Sequence, residues 1–217
     1  MSPPSLYPAP ETRLAIFAEI EKNFSPRSLK SPWHRLLRAI LVSIAGLLLV
    51  VLTFRTGWHV VAAFDLPMVV GFVAALSGGV LVALAIAPPG GNRITANSKR
   101  GLVLLATAIW IAWLNTRMHS LELAGAFAGP TYACLIHSSA GAMLVTLGFA
   151  WAYRRTEPFT PAISAMLLGT VAGLIGAAGI SAACLSSEAM HLTIGHGLVL
   201  PLGALFGLIT MRRTLSP

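Results

Sequence analysis

Residues 162–184 read AISAMLLGTVAGLIGAAGISAAC, a run of 23 residues without a charged side chain. A helix that crosses the hydrocarbon core of a bilayer needs roughly 20 consecutive, mostly apolar residues. This stretch therefore predicts a transmembrane helix. Pro161 immediately precedes it and suits the first turn of a helix, where its missing N–H group costs nothing.

Five further apolar blocks lie on either side of this stretch. They cover about 36–54, 66–86, 101–116, 131–153 and 191–211. Across the 217-residue chain, 56% of the residues are hydrophobic and only 10% are charged, whereas a soluble domain carries about 25% charged residues. We therefore predict an all-α fold, an integral membrane bundle of six transmembrane helices. The block at 101–116 is the shortest, and Pro201 is expected to kink the sixth helix.

A polar segment precedes the first block. We accordingly divide the chain into a cytoplasmic N-terminal segment at 1–35 and a six-helix transmembrane domain at 36–217. Within the segment, residues 11–24 predict a short amphipathic helix. Its apolar residues recur at spacings of three and four, and they are Leu14, Phe17, Ile20 and Phe24. This apolar stripe fits two roles, an interfacial helix lying on lipid or a docking helix for a cytoplasmic partner.

Basic residues are distributed unevenly between the two sides of the six-helix arrangement. One side carries 13 of them: Arg13, Lys22, Arg27, Lys30, Arg35, Arg38, Arg93, Lys99, Arg100, Arg154, Arg155, Arg212 and Arg213. The other side carries only Arg55 and Arg117. The positive-inside rule places the richer side, and with it both termini, in the cytoplasm. We thus expect a multi-pass protein of a bacterial inner membrane, whose net charge of +8 serves topology rather than direct binding of nucleic acid.

Both cysteines of the chain lie near the outer, periplasmic ends of predicted helices. Cys134 is near the start of the fourth helix, and Cys184 is at the end of the fifth. His191 opens the sixth helix on the same side, and His196 lies about 8 Å further in at roughly 1.5 Å per residue. His137 follows Cys134 by three residues and shares its helix face. The last three helices thus gather both thiols and three of the six histidines at one end.

This group of residues has two interpretations. In the structural one, the cysteines form a disulfide on the oxidising side of the membrane, and the histidines are packing residues. In the functional one, Cys134 and Cys184 are the redox pair of a thiol sensor, with or without bound metal. Thiolate and imidazole are the ligands that Cu(I), Zn and Cd prefer. The candidate ligands are Cys134, Cys184, His196, His137 and His191.

Signatures of catalysis are missing from the sequence, which has no G-x-S-x-G, H-E-x-x-H, P-loop or G-x-G-x-x-G motif. We predict that the protein is not an enzyme and requires no cofactor, with a thiophilic metal ion acting only as a signal. A small metal or metabolite transporter would need polar groups through the midplane, and these are sparse. A haem-binding membrane protein would need paired histidines on facing helices, a role open to His137 and His196. A disulfide-handling enzyme would need C-x-x-C, which is absent.

Four features together resemble the NrsF family, the negative regulators of sigma F. A short N-terminal helix is followed by Ser25-Pro26-Arg27-Ser28-Leu29, which is similar to the family's P-V-R-x-L. An Arg-rich entry, Arg35-Leu-Leu-Arg38, leads into the first span. The second cysteine follows the first by fifty residues, and a histidine, His196, follows the second by twelve.

The resemblance implies a regulatory protein. Members of the family hold an extracytoplasmic-function sigma factor at the membrane until heavy-metal or oxidative stress arrives. The resemblance further implies that the paired cysteines are the sensor. The expected partners are therefore this sigma factor on the cytoplasmic side and the lipid bilayer around the helices.

Overall fold

The computed structural model describes residues 10–23, 32–53, 69, 73, 76–79, 95–118, 129–154, 160–184 and 186–215. Within these residues the secondary-structure elements are all helices, which confirms the all-α prediction. Phe24 and most of the predicted second helix at 66–86 lie outside the described residues, as do the side chains of Phe17 and Ile20.

Six helices can be followed in the part of the chain that the structure describes. They are α1 (Pro10–Asn23), α2 (Pro32–Thr53), α3 (Ala96–Arg117), α4 (Gly129–Ala152), α5 (Pro161–Ala183) and α6 (Ala189–Leu215). The last of these is not uniform. It begins as an α-helix at Ala189–Leu192, passes through a π-helical turn at Thr193–Gly197 and continues as an α-helix at Val199–Leu215. Pro201, the residue predicted to kink this helix, is the third residue of the last α-helical stretch, and the irregular turn lies before it at Thr193–Gly197.

Four of the described helices are long and apolar enough to cross a membrane, rather than the six predicted. The four stretches are Leu36–Thr53, Gly129–Ala152, Pro161–Ala182 and Ala189–Leu215. The third predicted block does form a helix, α3, but this helix is too polar to count among the helices that could cross a membrane. The reason lies at its ends, which contain Asn97, Lys99, Arg100, Asn115 and Arg117.

Helix α5 is the centre of the bundle. In its membrane-length stretch 89% of the residues are buried, compared with 33–39% in the corresponding stretches of α2, α4 and α6. It contacts α2, α3, α4 and α6. The stretch that predicted a transmembrane helix most strongly is therefore enclosed by protein, while its neighbours expose large apolar side chains in the way that lipid contact requires.

Close contact between α5 and α6 depends on glycine. A Cβ atom on Gly169 would collide with the carbonyl oxygen of Gly203, and a Cβ on Gly203 would lie 2.5 Å from the carbonyl oxygen of Gly169. One helical turn further along each helix, a Cβ on Gly173 would lie 2.7 Å from the Val199 carbonyl oxygen, and a Cβ on Gly207 would lie 2.5 Å from the Ala165 carbonyl oxygen. Both G-x-x-x-G patterns of the sequence thus form one backbone-to-backbone interface.

Helix α3 is attached to α5 at both ends by basic side chains. At one end the Lys99 ammonium, buried to 2% exposure, donates hydrogen bonds to Thr160 Oγ1 at 3.0 Å and Ser164 Oγ at 2.9 Å. At the other end Arg117 donates to the carbonyl oxygens of Ser181, at 2.8 Å, and Cys184, at 3.1 Å. The two helices therefore run side by side in the same direction.

Most described basic residues lie at one end of the bundle. The Arg38 guanidinium stacks 4.8 Å from the Trp151 ring, which joins the start of α2 to the end of α4. The start of α5 lies beside Lys99, and the later half of α6 contacts α5 at Ala165. The basic residues of these segments whose side chains the structure describes are Arg38, Lys99, Arg100, Arg154, Arg212 and Arg213. Arg117 lies at the opposite end.

Candidate functional site

The two cysteines come together at the end of the bundle that carries Arg117. Cys134 lies in the second turn of α4, and Cys184 directly follows the last residue of α5, where its N–H donates to the Ile180 carbonyl at 2.9 Å. Both side chains are buried free thiols, and they pack with Val50 and Ile180. The predicted juxtaposition of the helix ends is therefore present in the structure.

His191 contacts one of these thiols directly. Its Nε2 atom lies 3.2 Å from Cys184 Sγ. On the other side of the ring, Nδ1 lies 3.0 Å from Thr131 Oγ1 on α4. The side chain is only 4% exposed. This single histidine thus connects the end of α5, the start of α4 and the start of α6.

His196 is fully buried in the π turn of α6. Its Nδ1 atom lies 2.6 Å from Ser181 Oγ on α5. Its Nε2 atom has no hydrogen-bond partner among the described residues. A buried polar atom without a partner is costly and calls for an explanation. Here the atom belongs to a ring that lies 5.6 Å from the His191 ring, centroid to centroid.

The π turn explains why both histidines reach the same site. In a regular α-helix of 3.6 residues per turn, side chains five residues apart point about 140° away from each other. The π turn of α6 is closed by a bond from Leu198 N–H to the Thr193 carbonyl at 3.2 Å, an i→i+5 contact. This wider turn brings His191 and His196, five positions apart, to one side of the helix.

Four potential metal ligands thus converge. The ligand atoms of Cys134, Cys184, His191 and His196 all lie within 4.8 Å of one another, and all four residues are buried. A tetrahedral zinc site has metal–ligand bonds of about 2.0–2.3 Å and so requires ligand separations of roughly 3.3–3.8 Å. Shifts of about an ångström or less, within the reach of side-chain rotation, would bring the four ligand atoms to that geometry.

His137, the fifth candidate ligand, is placed elsewhere. Its ring is half-buried, and its Nδ1 atom lies 2.7 Å from the Ala133 carbonyl of its own helix. The buried position beside Cys134 is instead taken by Ser138, whose hydroxyl donates to the Cys134 carbonyl at 2.6 Å. The structure therefore brings together four of the five candidate ligands.

Sequence reasoning missed the residues that hold the site in shape. Thr131 and Ser181 contact the two histidine rings, and Gly195 lets α6 approach α4. A Cβ on Gly195 would lie 3.3 Å from both Cys134 Cβ and the Thr131 carbonyl oxygen. Arg117 binds the carbonyl of Cys184 and so caps the end of α5. Arg117 had one visible signal, since it is one of only two basic residues on its side of the predicted membrane.

Comparison with known families agrees with the resemblance. The sequence model of NrsF, described as "Negative regulator of sigma F", matches residues 21–216. The chain belongs to the NrsF family. The matched region contains all four converging ligands and α2 to α6, whereas most of α1 precedes it. No curated protein and no solved structure matches the chain.

Proposed function

We propose that this NrsF-family protein is a membrane anti-sigma factor, which holds an extracytoplasmic-function sigma factor at the cytoplasmic face and releases it on metal or oxidative stress. The observation that carries the sensing part is the buried group of two thiols and two imidazoles at one end of the bundle. A thiophilic ion or an oxidant acts on the thiol pair and draws the ends of α4, α5 and α6 together. Because α5 contacts four other helices, a shift of its end would change its packing against each of them.

The proposed orientation puts the thiol site at the periplasmic face of a bacterial inner membrane. It is supported by the concentration of described basic residues at the opposite end, which the positive-inside rule assigns to the cytoplasm. A six-helix arrangement needs two spans besides the four helices that are long and apolar enough. We propose that these two are α3 and the region at 66–86. In this arrangement both termini are cytoplasmic.

The orientation can be tested at the C-terminus. A reporter enzyme that is active only in the periplasm, fused after Pro217, should be silent, because an even number of spans returns the chain to the cytoplasm. A fusion of a cytoplasm-active reporter at the same position is the matched control and should be active. Periplasmic activity of the first fusion would contradict the six-span arrangement.

The proposed sigma-factor contact lies on α1. Leu14 is 70% exposed, so its side chain is available to a partner. Phe17, Ile20 and Phe24 complete the stripe in the sequence. The family match begins at residue 21, after Leu14, Phe17 and Ile20. A contact by these three residues is therefore supported only by their helical spacing and by the exposure of Leu14.

Charged substitutions on this stripe should release the sigma factor. Burial of each apolar side chain contributes about 1.5–3 kcal/mol, so the double variant Leu14→Glu/Phe17→Glu should weaken binding at least about 100-fold. The control Thr12→Glu/Ala15→Glu adds the same charge to the opposite face of α1, where both residues are exposed, and should bind normally. Co-purification with the sigma factor from membranes measures both.

Two results would contradict this assignment. One is sigma-factor binding that survives deletion of residues 1–30. The other is equal loss of binding in the control variant, which would point to general disruption of α1 rather than to a docking face.

A further inference from the structure

Both buried histidines are held in the same way. In each ring the Nδ1 atom faces a hydroxyl oxygen, Thr131 Oγ1 at 3.0 Å for His191 and Ser181 Oγ at 2.6 Å for His196. In each ring the Nε2 atom is on the opposite side, in contact with Cys184 Sγ in one case and without a hydrogen-bond partner among the described residues in the other. The hydroxyls come from two different helices, α4 and α5.

This arrangement suits the tautomer that metal binding through Nε2 requires. A hydroxyl oxygen accepts a hydrogen bond from Nδ1–H, and a ring protonated at Nδ1 carries its free lone pair on Nε2. Histidines that bind metal in proteins are commonly oriented by such a bond from their second nitrogen. With Nδ1 protonated, Thr131 and Ser181 would hold the two rings so that both Nε2 lone pairs are free for a metal ion.

We propose that Thr131 and Ser181 are positioning residues of a closed, four-ligand site in which Cys134, Cys184, His191 and His196 hold one divalent ion of the Zn(II) or Cd(II) type. This inference rests on the proposed sensing function and specifies its ligand. As each metal–sulfur bond forms, the thiol gives up its proton to water, and no electrons are transferred.

Charge favours a divalent ion over Cu(I). Two thiolates and two neutral imidazoles neutralise a 2+ ion, whereas a 1+ ion leaves a net negative charge in a buried site, which is costly. The guanidinium of Arg117 donates to the carbonyl oxygens of Ser181 and Cys184, so its positive charge lies at the edge of the site rather than among the four ligand atoms. Two sulfur and two nitrogen ligands are also a common set for tetrahedral zinc.

Co(II) binding to the purified full-length protein in detergent tests the proposal. Co(II) replaces Zn(II) in tetrahedral sites, and its absorption spectrum reports both the geometry and the coordination by thiolate. Competition with Zn(II), Cd(II) or Cu(I) then gives the relative affinities of these ions. We expect one ion per chain with a tetrahedral, thiolate-containing spectrum, and stronger competition by Zn(II) and Cd(II) than by Cu(I). An octahedral spectrum, or a spectrum unchanged in the Cys134→Ser/Cys184→Ser variant, would overturn the four-ligand site.

The positioning role has its own variants. Thr131→Val and Ser181→Ala should each weaken Co(II) binding about 10–100-fold, and the conservative variants Thr131→Ser and Ser181→Thr should restore most of it. The matched controls are Thr146→Val on α4 and Thr170→Val on α5. Both control hydroxyls are buried and bond to their own helix, to Ala142 O at 2.8 Å and Met166 O at 2.9 Å. Wild-type affinity in Thr131→Val and Ser181→Ala would overturn the positioning role.

These outcomes are separable from the proposed function. Co(II) binding that follows the prediction, combined with a sigma factor that stays bound when the site is filled, would contradict the release mechanism and leave the metal site standing. Release of the sigma factor by metal, combined with normal Co(II) binding in Thr131→Val and Ser181→Ala, would contradict the positioning role alone.

Discussion

Replacing Cys134 and Cys184 together by serine should abolish metal induction of a reporter gene driven by the sigma factor, while the sigma factor stays bound. A shift from 1% to 99% free sigma factor requires about 5.5 kcal/mol of differential binding, or roughly 10⁴-fold. Coordination of a thiophilic ion by two thiolates can supply this, and a serine hydroxyl is a poor substitute for such ions. Each single substitution should also abolish induction, because one remaining thiol cannot join α4 to α5.

Reporter activity, measured with and without metal in each variant, tests whether the thiol pair is the switch. His196→Ala should reduce induction less than either cysteine substitution, since two thiols and His191 remain within reach of one another. Basal repression should be unchanged in all variants, which shows that the protein is folded and holds its partner. Full induction in the double cysteine variant would refute the thiol switch and leave the pair a structural role.

A single methyl group at Gly203 should destabilise the bundle by about 3 kcal/mol. Added atoms in a packed interior cost about 1–3 kcal/mol, and Gly203 belongs at the upper end because the nearest atoms are backbone. The new Cβ would meet the Gly169 carbonyl oxygen at 2.5 Å and Gly173 Cα at 3.0 Å, so α5 and α6 must separate. Unfolding of Gly203→Ala in detergent, followed by tryptophan fluorescence, measures the loss.

The same chemical change at Gly101 is the control. Gly101 lies in α3, and a Cβ there meets nothing within 4 Å. Since alanine is favoured over glycine in a helix by about 0.8–1.0 kcal/mol, Gly101→Ala should be neutral or stabilising. Equal effects at the two positions would show that the α5–α6 interface tolerates an extra carbon and is not limited by its glycines.

The apolar blocks predicted the described bundle helices α2 to α6, because length and composition are local properties, although only four of these helices are apolar enough to be spans. The same information could not predict that α5 is enclosed by protein, since a lipid-facing and a protein-facing helix are both apolar. Nor could it settle α3, whose basic residues Lys99 and Arg117 are bound by groups of α5 and its ends. Lys99, for example, is placed by Thr160 and Ser164, more than sixty positions away in the sequence.

The candidate site was predictable in part for a similar reason. Cys134 and Cys184 end consecutive helices, so their meeting follows from topology. The approach of His191 to His196 depends on the π turn, because regular helix geometry points side chains five residues apart about 140° away from each other. His137 shows the converse error, because a shared helix face at a spacing of three does not decide which residue faces the neighbouring helix. Ser138 takes that position.

The double attachment of α3 has a consequence for how the protein is made. The groups that bind Lys99 and Arg117 lie 61 to 67 positions further along the chain. When α3 leaves the ribosome, those hydroxyls and carbonyls have not yet been synthesised, and a charged side chain in a bilayer without such contacts is costly. In the proposed six-span arrangement, we therefore expect α3 to reach its final depth in the membrane only after α5 has been inserted beside it.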